Sequence, residues 1–290
     1  MKKWLLIAGM LFAQSATAQQ LEFVMHYPPG GGSDKHVSVL GKILLDKGIE
    51  NKKVFFKTCA EALEYSNKNK DAVLVSVNSD LRSEPTGICP GVDIYINLKF
   101  LATLSDSEFM LCTTPSRPDI TLKTLQDSQT PIVIGSPTSD INWKTMQLLK
   151  KYSKLNIQIL PFKGAGDLKT AVVSGTVQMF YGGTVAKQMV TDGAKCLASS
   201  KKDNWAKAPF IGSLITQANF PETSLQAIAF SNNQLSPKIA TALRDAVNSN
   251  DFAEQLVTMG LTPASVSQRF TQDKAQTALR KLDELYKTIE

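Results

Sequence analysis

The sequence has few of the residues from which enzymes and metal sites are built. Its 290 residues include two histidines, four cysteines and three tryptophans. A zinc site is not expected, because the cysteines lack the CxxC spacing of structural zinc sites. The GxSxG and HExxH motifs are absent, as are a nucleotide P-loop and the GxGxxG fingerprint. We therefore expect no catalytic residues, no metal and no cofactor.

The chain also lacks a strong excess of either charge. Its formal net charge is +6, falling to +4 without Lys2 and Lys3, and the basic residues are spread along the chain with only short clusters such as Lys201-Lys202. Nucleic-acid-binding domains place basic residues in a stripe with interleaved aromatic side chains. We therefore expect no nucleic-acid partner.

Long apolar runs are missing beyond the amino terminus. There, two lysines precede an apolar run at positions 4–12, and Ala16-Thr17-Ala18 follows. This pattern predicts a signal peptide over residues 1–18, cleaved after Ala18. The run is shorter than the roughly 20 residues that span a bilayer, and no cysteine stands at the cleavage point to carry a lipid. We therefore expect a periplasmic protein.

Four cysteines in an oxidising compartment favour two disulfides, for which three connectivities exist. We favour Cys59–Cys89 and Cys112–Cys196. The alternative is that the cysteines are free and buried.

Short apolar runs alternate with amphipathic segments along the mature chain. Strands are predicted at 21–26, 54–56, 72–77, 109–114, 131–135, 157–160, 177–181, 196–199 and 225–230. Helices are predicted after residue 36 with Gly48 as C-cap, through 60–64, 143–149 and 168–173, from Ser236-Pro237, and over 252–259 and 268–289. The segment between residues 87 and 100 is predicted to be a loop.

This order predicts an α/β protein with parallel sheets. Lobe 1 is expected to comprise residues 19–113 plus 229–290, with the helical tail returning to it, and lobe 2 residues 114–228. In such a protein a ligand binds between the lobes, at the carboxyl ends of the strands.

Three predicted strand-to-helix loops carry glycine and hydroxyl residues: YPPGGGSD at 27–34, GSPTSD at 135–140 and PFKGAGD at 161–167. Glycine lets a backbone approach a ligand closely, and the amides at a helix N-terminus favour an anion. The alternative is that each loop is a turn whose serine or aspartate caps the next helix. The occurrence of such loops in both predicted lobes favours an anion site. His26, at the end of the first strand, either lines the cleft or is a buried side chain, and we favour the second interpretation.

The loop at 27–34 resembles the P-[FY]-x-P/A-G-G-x-x-D opening of the Bug (TctC-like) receptors, the periplasmic solute-binding proteins of tripartite tricarboxylate transporters. LPFKG at 160–164, VSGTVQMF at 173–180 and FAEQLVTMGLTP at 252–263 are similar to further motifs of that family, in the same order. The resemblance covers essentially the whole mature chain. It implies a type II periplasmic-binding-protein fold, with two α/β lobes and an interlobe ligand cleft.

The resemblance also implies a receptor, not an enzyme, that captures a small organic acid or acidic amino acid and passes it to transporter membrane subunits. We expect a monomer. Carried over by position, the resemblance nominates as ligand-binding residues Tyr27, Pro29, Gly30, Gly31 and Asp34 of lobe 1, and Ser136, Ser139, Lys163, Gly164, Ala165, Tyr181, Gly182 and Gly183 of lobe 2.

The sequence departs from the family at two of these places. Pro137 and Asp140 stand in a loop that is built of small residues in many members, and Gly182-Gly183 replaces polar groups. The identity of the carboxylate is therefore open. The alternative functions are an extracytoplasmic ligand-sensing partner of a signalling system and a periplasmic enzyme on the same fold.

Overall fold

Two five-stranded sheets form the framework of the part of the chain that the structure describes. The structure is a computed structural model that describes residues 20–27, 29–78, 98–138, 140–215, 219–232, 234–264, 281–282 and 284–288. The predicted signal peptide lies outside these residues. Among the described residues, no helix has both the length and the apolar character needed to cross a membrane.

The elements alternate between strands and helices along the chain. The strands are β1 Leu21–Met25, β2 Asn51–Phe55, β3 Ala72–Val77, β4 Lys99–Ser107, β5 Met110–Thr113, β6 Ile132–Pro137, β7 Ile157–Phe162, β8 Met179–Gly182, β9 Cys196–Ser199 and β10 Leu225–Ser231. The helices are α1 Gly32–Asp46, α2 Cys59–Lys68, α3 Leu122–Asp127, α4 Asp140–Tyr152, α5 Ala165–Val173, α6 Thr184–Thr191, α7 Pro237–Val247 and α8 Asn250–Thr258, with a short 3-10 helix at Ile211–Ser213.

The strand order is β2-β1-β3-β10-β4 in the first sheet and β7-β6-β8-β5-β9 in the second. β1 runs parallel to β2 and β3, and β6 runs parallel to β7 and β8. β10 and β5 run antiparallel to their neighbours. The sheets are therefore mixed, and the prediction of parallel sheets was wrong for β4, β5, β9 and β10.

Alternating side chains bury both faces of each sheet. In the first sheet Phe23 packs into one hydrophobic cluster and its neighbour Val24 into another. In the second sheet Leu111 and Cys112 divide between two clusters in the same way. Successive residues of a strand point to opposite faces, so helices cover both sides, as the α/β prediction requires.

The chain passes between the sheets at sharply defined points. β4 ends in the first sheet at Ser107, β5 begins in the second at Met110, and β10 returns to the first at Leu225. The lobe boundaries at 113/114 and 228/229 remain a prediction. The tail differs from its expected place, because Leu282 is buried in a hydrophobic cluster of the second sheet. The Lys144 ammonium also lies 5.3 Å from the centroid of the Tyr286 ring.

Cys112 and Cys196 are joined by a disulfide, as predicted. They face each other in the antiparallel pair of β5 and β9, which brings together two residues that are 84 positions apart. Cys59 is disulfide-bonded as well, and its predicted partner, Cys89, lies outside the described residues.

Candidate functional site

The predicted loops of the second sheet lie side by side at one edge. β6, β7 and β8 are parallel, so their carboxyl ends meet there. Ser136 pairs with Pro161 and Pro137 with Phe162. The Thr138 N–H donates to the Phe162 carbonyl at 2.8 Å. The structure therefore brings together the loops after β6 and β7, whose pairing was not predicted from the sequence.

Three helices that follow strands begin at glycine, α1 at the first sheet and α5 and α6 at the second. Gly31 is the N-cap of α1, Gly164 of α5 and Gly183 of α6. By contrast, the side chains of Thr58 and Ser249 accept first-turn amides at α2 and α8. A glycine N-cap supplies no side-chain acceptor, so no side chain caps the first-turn N–H groups of α1, α5 and α6. These groups can donate to an anion, except the N–H of Ala186 in α6, which donates to the Gly183 carbonyl at 3.0 Å.

The opening loop is held by Asp34, in the first turn of α1. Gly30 has a φ of +82°, in the left-handed region that glycine tolerates. Its N–H donates to Asp34 Oδ2 at 2.7 Å. Lys53 Nζ lies 2.5 Å from Asp34 Oδ1 and donates to Ser38 Oγ at 2.6 Å. Asp34 therefore stabilises the loop through its contact with Gly30. Contact between Asp34 and a ligand remains a prediction.

The charge of Asp34 is stabilised by these contacts. Partial burial raises the pKa of its carboxyl, but the hydrogen bond from Lys53, the amide of Gly30 and the positive charge of Lys53 lower it more. The pKa of Asp34 therefore lies below its ordinary value, and the loop carries a neutralised ion pair rather than a free carboxylate.

His36 lies buried one turn into α1. Its Nδ1 donates to the Gly32 carbonyl, with 2.6 Å between the two atoms. Burial lowers the pKa of His36 to about 4, against a smaller opposing effect of that hydrogen bond. The imidazole is therefore neutral at neutral pH. Burial of His36 was not predicted from the sequence.

The other nominated residues differ in exposure. Pro29, Gly30, Lys163 and Ala165 are exposed, and Gly31 and Gly164 are half-buried. The half-buried Tyr27 ring lies 4.1 Å from the ring of His26, between centroids. Ser139 lies outside the described residues, and Asp140 begins α4.

Two of the nominated residues belong to the interior. Ser136 and Tyr181 are fully buried, and the Tyr181 ring packs 5.7 Å from that of Phe109, between centroids. Burial raises the pKa of the Tyr181 hydroxyl. Both side chains therefore support the edge of the second sheet, and neither has a surface that a ligand could reach in this conformation.

Gly182 and Gly183 are set close to their surroundings. A Cβ on Gly182 would lie 3.3 Å from Leu168 Cδ2, and one on Gly183 would lie 3.2 Å from the carbonyl oxygen of Glu108. Gly182 therefore allows the end of β8 to pack against α5, and Gly183 allows the start of α6 to pack against the connection between β4 and β5.

Polar contacts between the two sheets were not predicted from the sequence. Lys201, after β9, forms an ion pair with Asp106 of β4, and Lys187 of α6 donates to Thr262. No local pattern reveals such pairs, because the partners are 95 and 75 residues apart. Among the described residues, no group of three or more His, Cys, Asp or Glu side chains could hold a metal ion.

Over 93% of its length, the chain is similar to the solved structure of R. palustris Rpa4515 with adipate, at a TM-score of 0.70 and 16% identity. The match covers 96% of Rpa4515. MatC (Rpa3494) from Rhodopseudomonas palustris with bound malate is similar over the same share and 99% of its own chain, at a TM-score of 0.66 and 16% identity.

The periplasmic binding protein BugD is similar at a TM-score of 0.67 and 14% identity, over 93% of this chain and 97% of its own. The chain has the fold of periplasmic binding proteins. The predicted two-lobe fold is thereby confirmed. No family model and no curated protein sequence matches the chain.

Proposed function

We propose that this chain is a periplasmic solute-binding receptor that captures a small organic carboxylate for a tripartite tricarboxylate-type transporter. The observation that carries the proposal is the set of glycine-capped helices, α1 at the first sheet and α5 and α6 at the second. A partly buried helix N-terminus stabilises an anion by up to about 2 kcal/mol. Several together suit a carboxylate.

The proposed ligand bridges the two sheets. One carboxylate binds the first-turn amides of α1, next to Gly31, and the amides at Gly164 and Gly183 bind the other end. A ligand with two acidic groups gains from both sets, which favours a dicarboxylate over a monocarboxylate. The similar structures with malate and adipate support this ligand class.

The two sets of amides must close on one ligand for this function. Exposed Lys163, beside Gly164, adds a positive charge at the second set. The remaining parts of the proposal are export to the periplasm and delivery of the ligand to transporter membrane subunits. They rest on the signal-peptide pattern and on the resemblance to the Bug receptors.

Isothermal titration of the mature chain against a panel of mono-, di- and tricarboxylates and acidic amino acids tests the ligand class. We expect saturable binding of at least one dicarboxylate and weaker binding of its monoamide. Binding of a sugar or a metal ion in place of every carboxylate would overturn the proposal.

A proline at the first helical position tests the role of the amides. Gly32→Pro removes one first-turn N–H of α1, whereas Gly32→Ala keeps it, and a Cβ at Gly32 meets nothing within 4 Å. Proline is tolerated at this helix position. We expect the affinity to fall about tenfold or more in Gly32→Pro, since a hydrogen bond to a charged group contributes about 1.5–3 kcal/mol, and to be nearly unchanged in Gly32→Ala.

Proline at the first helical position also tests the amides of α5, at the second sheet. Ala165→Pro removes the first amide of α5, and Asn250→Pro makes the matched change at α8, whose first turn is capped by Ser249. Weaker binding in Ala165→Pro but not in Asn250→Pro is the expected result. Equal affinities in all of these variants would show that the glycine-capped helices are not the anion site.

A further inference from the structure

Lys187 of α6 stands where four parts of the chain meet. Its Nζ donates to Thr262 Oγ1 at 2.8 Å and lies 6.0 Å from the centroid of the Trp205 ring. The negative charge of buried Glu108 acts on the same ammonium. Lys187 is itself about half buried. An ammonium in such a place is held by its contacts rather than by solvent.

Thr262, the partner of Lys187, is fastened to the first sheet. The Asp106 N–H donates to the Thr262 carbonyl at 3.0 Å, and Pro263 forms an isolated bridge with Ser105. Asp106 and Ser105 both belong to β4. The bond from Lys187 to Thr262 therefore joins a helix of the second sheet to a strand of the first.

The N-terminal turn of α6 is fixed from the same side. Lys187 follows Gly183 by four residues, so the two lie on one face of the helix. A Cβ at Gly183 would lie 3.2 Å from the Glu108 carbonyl oxygen. The backbone of Gly183 therefore rests on the β4–β5 connection, while Lys187 anchors the next turn to Thr262.

We propose that Lys187 is a positioning residue, which fastens α6 to Thr262 and so sets the place of the α6 N-terminal amides relative to the first sheet. The inference rests on the proposed function in one respect, that these amides contact the ligand. The anchoring itself is independent of any ligand.

Three variants separate the anchor from the bulk of the side chain. Lys187→Met keeps an unbranched side chain without the ammonium, Lys187→Arg keeps the charge, and Thr262→Val keeps the shape of the acceptor without its hydroxyl. Lys169→Met is the matched control, because Lys169 is an exposed lysine of α5.

Hydrogen exchange of the backbone amides from Gln188 to Thr191, which are hydrogen-bonded within α6, tests the anchoring when it is measured on the mature chain without ligand. We expect about tenfold faster exchange in Lys187→Met and in Thr262→Val, and no more in the double variant than in either single one, since contacting residues are non-additive. Lys187→Arg should restore most of the protection. Unchanged exchange in both Lys187→Met and Thr262→Val would overturn the proposal.

The dissociation rate of the tightest carboxylate in the titration panel tests the consequence for binding. We expect this rate to rise about five- to tenfold in Lys187→Met and Thr262→Val, because loosened contacts act mainly on dissociation. It should stay at the wild-type value in Lys169→Met. Altered exchange with an unchanged dissociation rate would leave α6 anchored by Lys187 but outside the ligand site, which contradicts the positioning role. If the wild type binds no carboxylate, the proposed function fails, and the exchange measurement still decides whether Lys187 anchors α6.

Discussion

The Lys201 ammonium lies 2.6 Å from Oδ2 of Asp106, and the ion pair joins the end of β9 in the second sheet to β4 in the first. The Asp106 side chain is 4% exposed and that of Lys201 14%. The second oxygen of Asp106, Oδ1, is buried with no hydrogen-bond partner among the described residues. The carboxylate therefore depends on Lys201 for its stabilisation.

Removing the ammonium should destabilise the protein strongly. Breaking a buried ion pair leaves one charge uncompensated and costs about 3–5 kcal/mol, and we expect the lower end for Lys201→Met. The double variant Asp106→Asn, Lys201→Met should recover much of the loss. Urea unfolding of the three proteins measures this, and a double variant no more stable than Lys201→Met would contradict it.

The Cys112–Cys196 disulfide should contribute to stability. Because it closes a loop between residues 84 positions apart, its loss should lower the free energy of unfolding by about 2–5 kcal/mol. The variant with both cysteines replaced by alanine isolates this bond, since Cys59 is left intact. Equal urea midpoints for the variant and the wild type would show that the bond does not constrain the unfolded chain.

His36 should make the protein less stable in mild acid. Its pKa is lowered from 6.5 to about 4 in the folded protein, so below pH 6.5 the unfolded chain binds a proton that the folded chain does not. Stability is therefore lost as the pH falls from 6.5 towards 4, by about 2 kcal/mol at pH 5.

Unfolding of wild type and His36→Gln at pH 7 and pH 5 measures this difference, because glutamine does not titrate. The pKa values of Glu22 and Asp34 are lowered from 4.5 and 3.8, so their contributions to stability are lost only below about these values. The change in stability between pH 7 and pH 5 therefore reports on His36. The prediction fails if the variant loses as much stability as the wild type between the two pH values.

Two glycines near the second-sheet edge should respond oppositely to alanine. A Cβ on Gly135 would lie 2.7 Å from Leu168 Cδ1 and 2.9 Å from Phe162 Cε2, so overpacking should cost about 1–3 kcal/mol. Gly166, in the first turn of α5, has open space around it. There alanine should stabilise by about 0.5–1 kcal/mol through helix propensity, and thermal unfolding of both variants should show shifts of opposite sign.

The sequence was most informative where a short apolar run fills one strand. The bounds predicted for β3 and β9, 72–77 and 196–199, are those of the structure. It was least informative for β4, most of which was not assigned. Thr103, Ser105 and Asp106 are buried there, because β4 lies at the junction of the sheets, and buried polar residues erase the apolar alternation that marks a strand.

Helix α6 was missed although Val185, Ala186 and Met189 are spaced as a buried helix face. The segment after Gly182-Gly183 was not assigned, because these glycines were considered only as ligand-binding residues at the end of a strand. Strands β6 and β7 also extend past their predicted ends, through Pro137 and Phe162. Those last residues are held by pairing with each other, which a single segment cannot show.

For the site, the sequence identified glycine loops but not their partners. The loop at Gly30 depends on Lys53 through Asp34, and α6 depends on Thr262 through Lys187. Such pairs are set by tertiary packing and have no local pattern, so only the structure could reveal them.

The position of β10 has a consequence for the order of folding. β10 lies between β3 and β4, which do not pair with each other, so the first sheet stays in two pieces until the chain has been made through residue 231. The strands of the second sheet occupy one continuous stretch, from Met110 to Ser199. As the chain emerges from its N-terminal end, that sheet can complete its pairing and bring Cys112 next to Cys196, while the first sheet still lacks the strand that joins its two pieces.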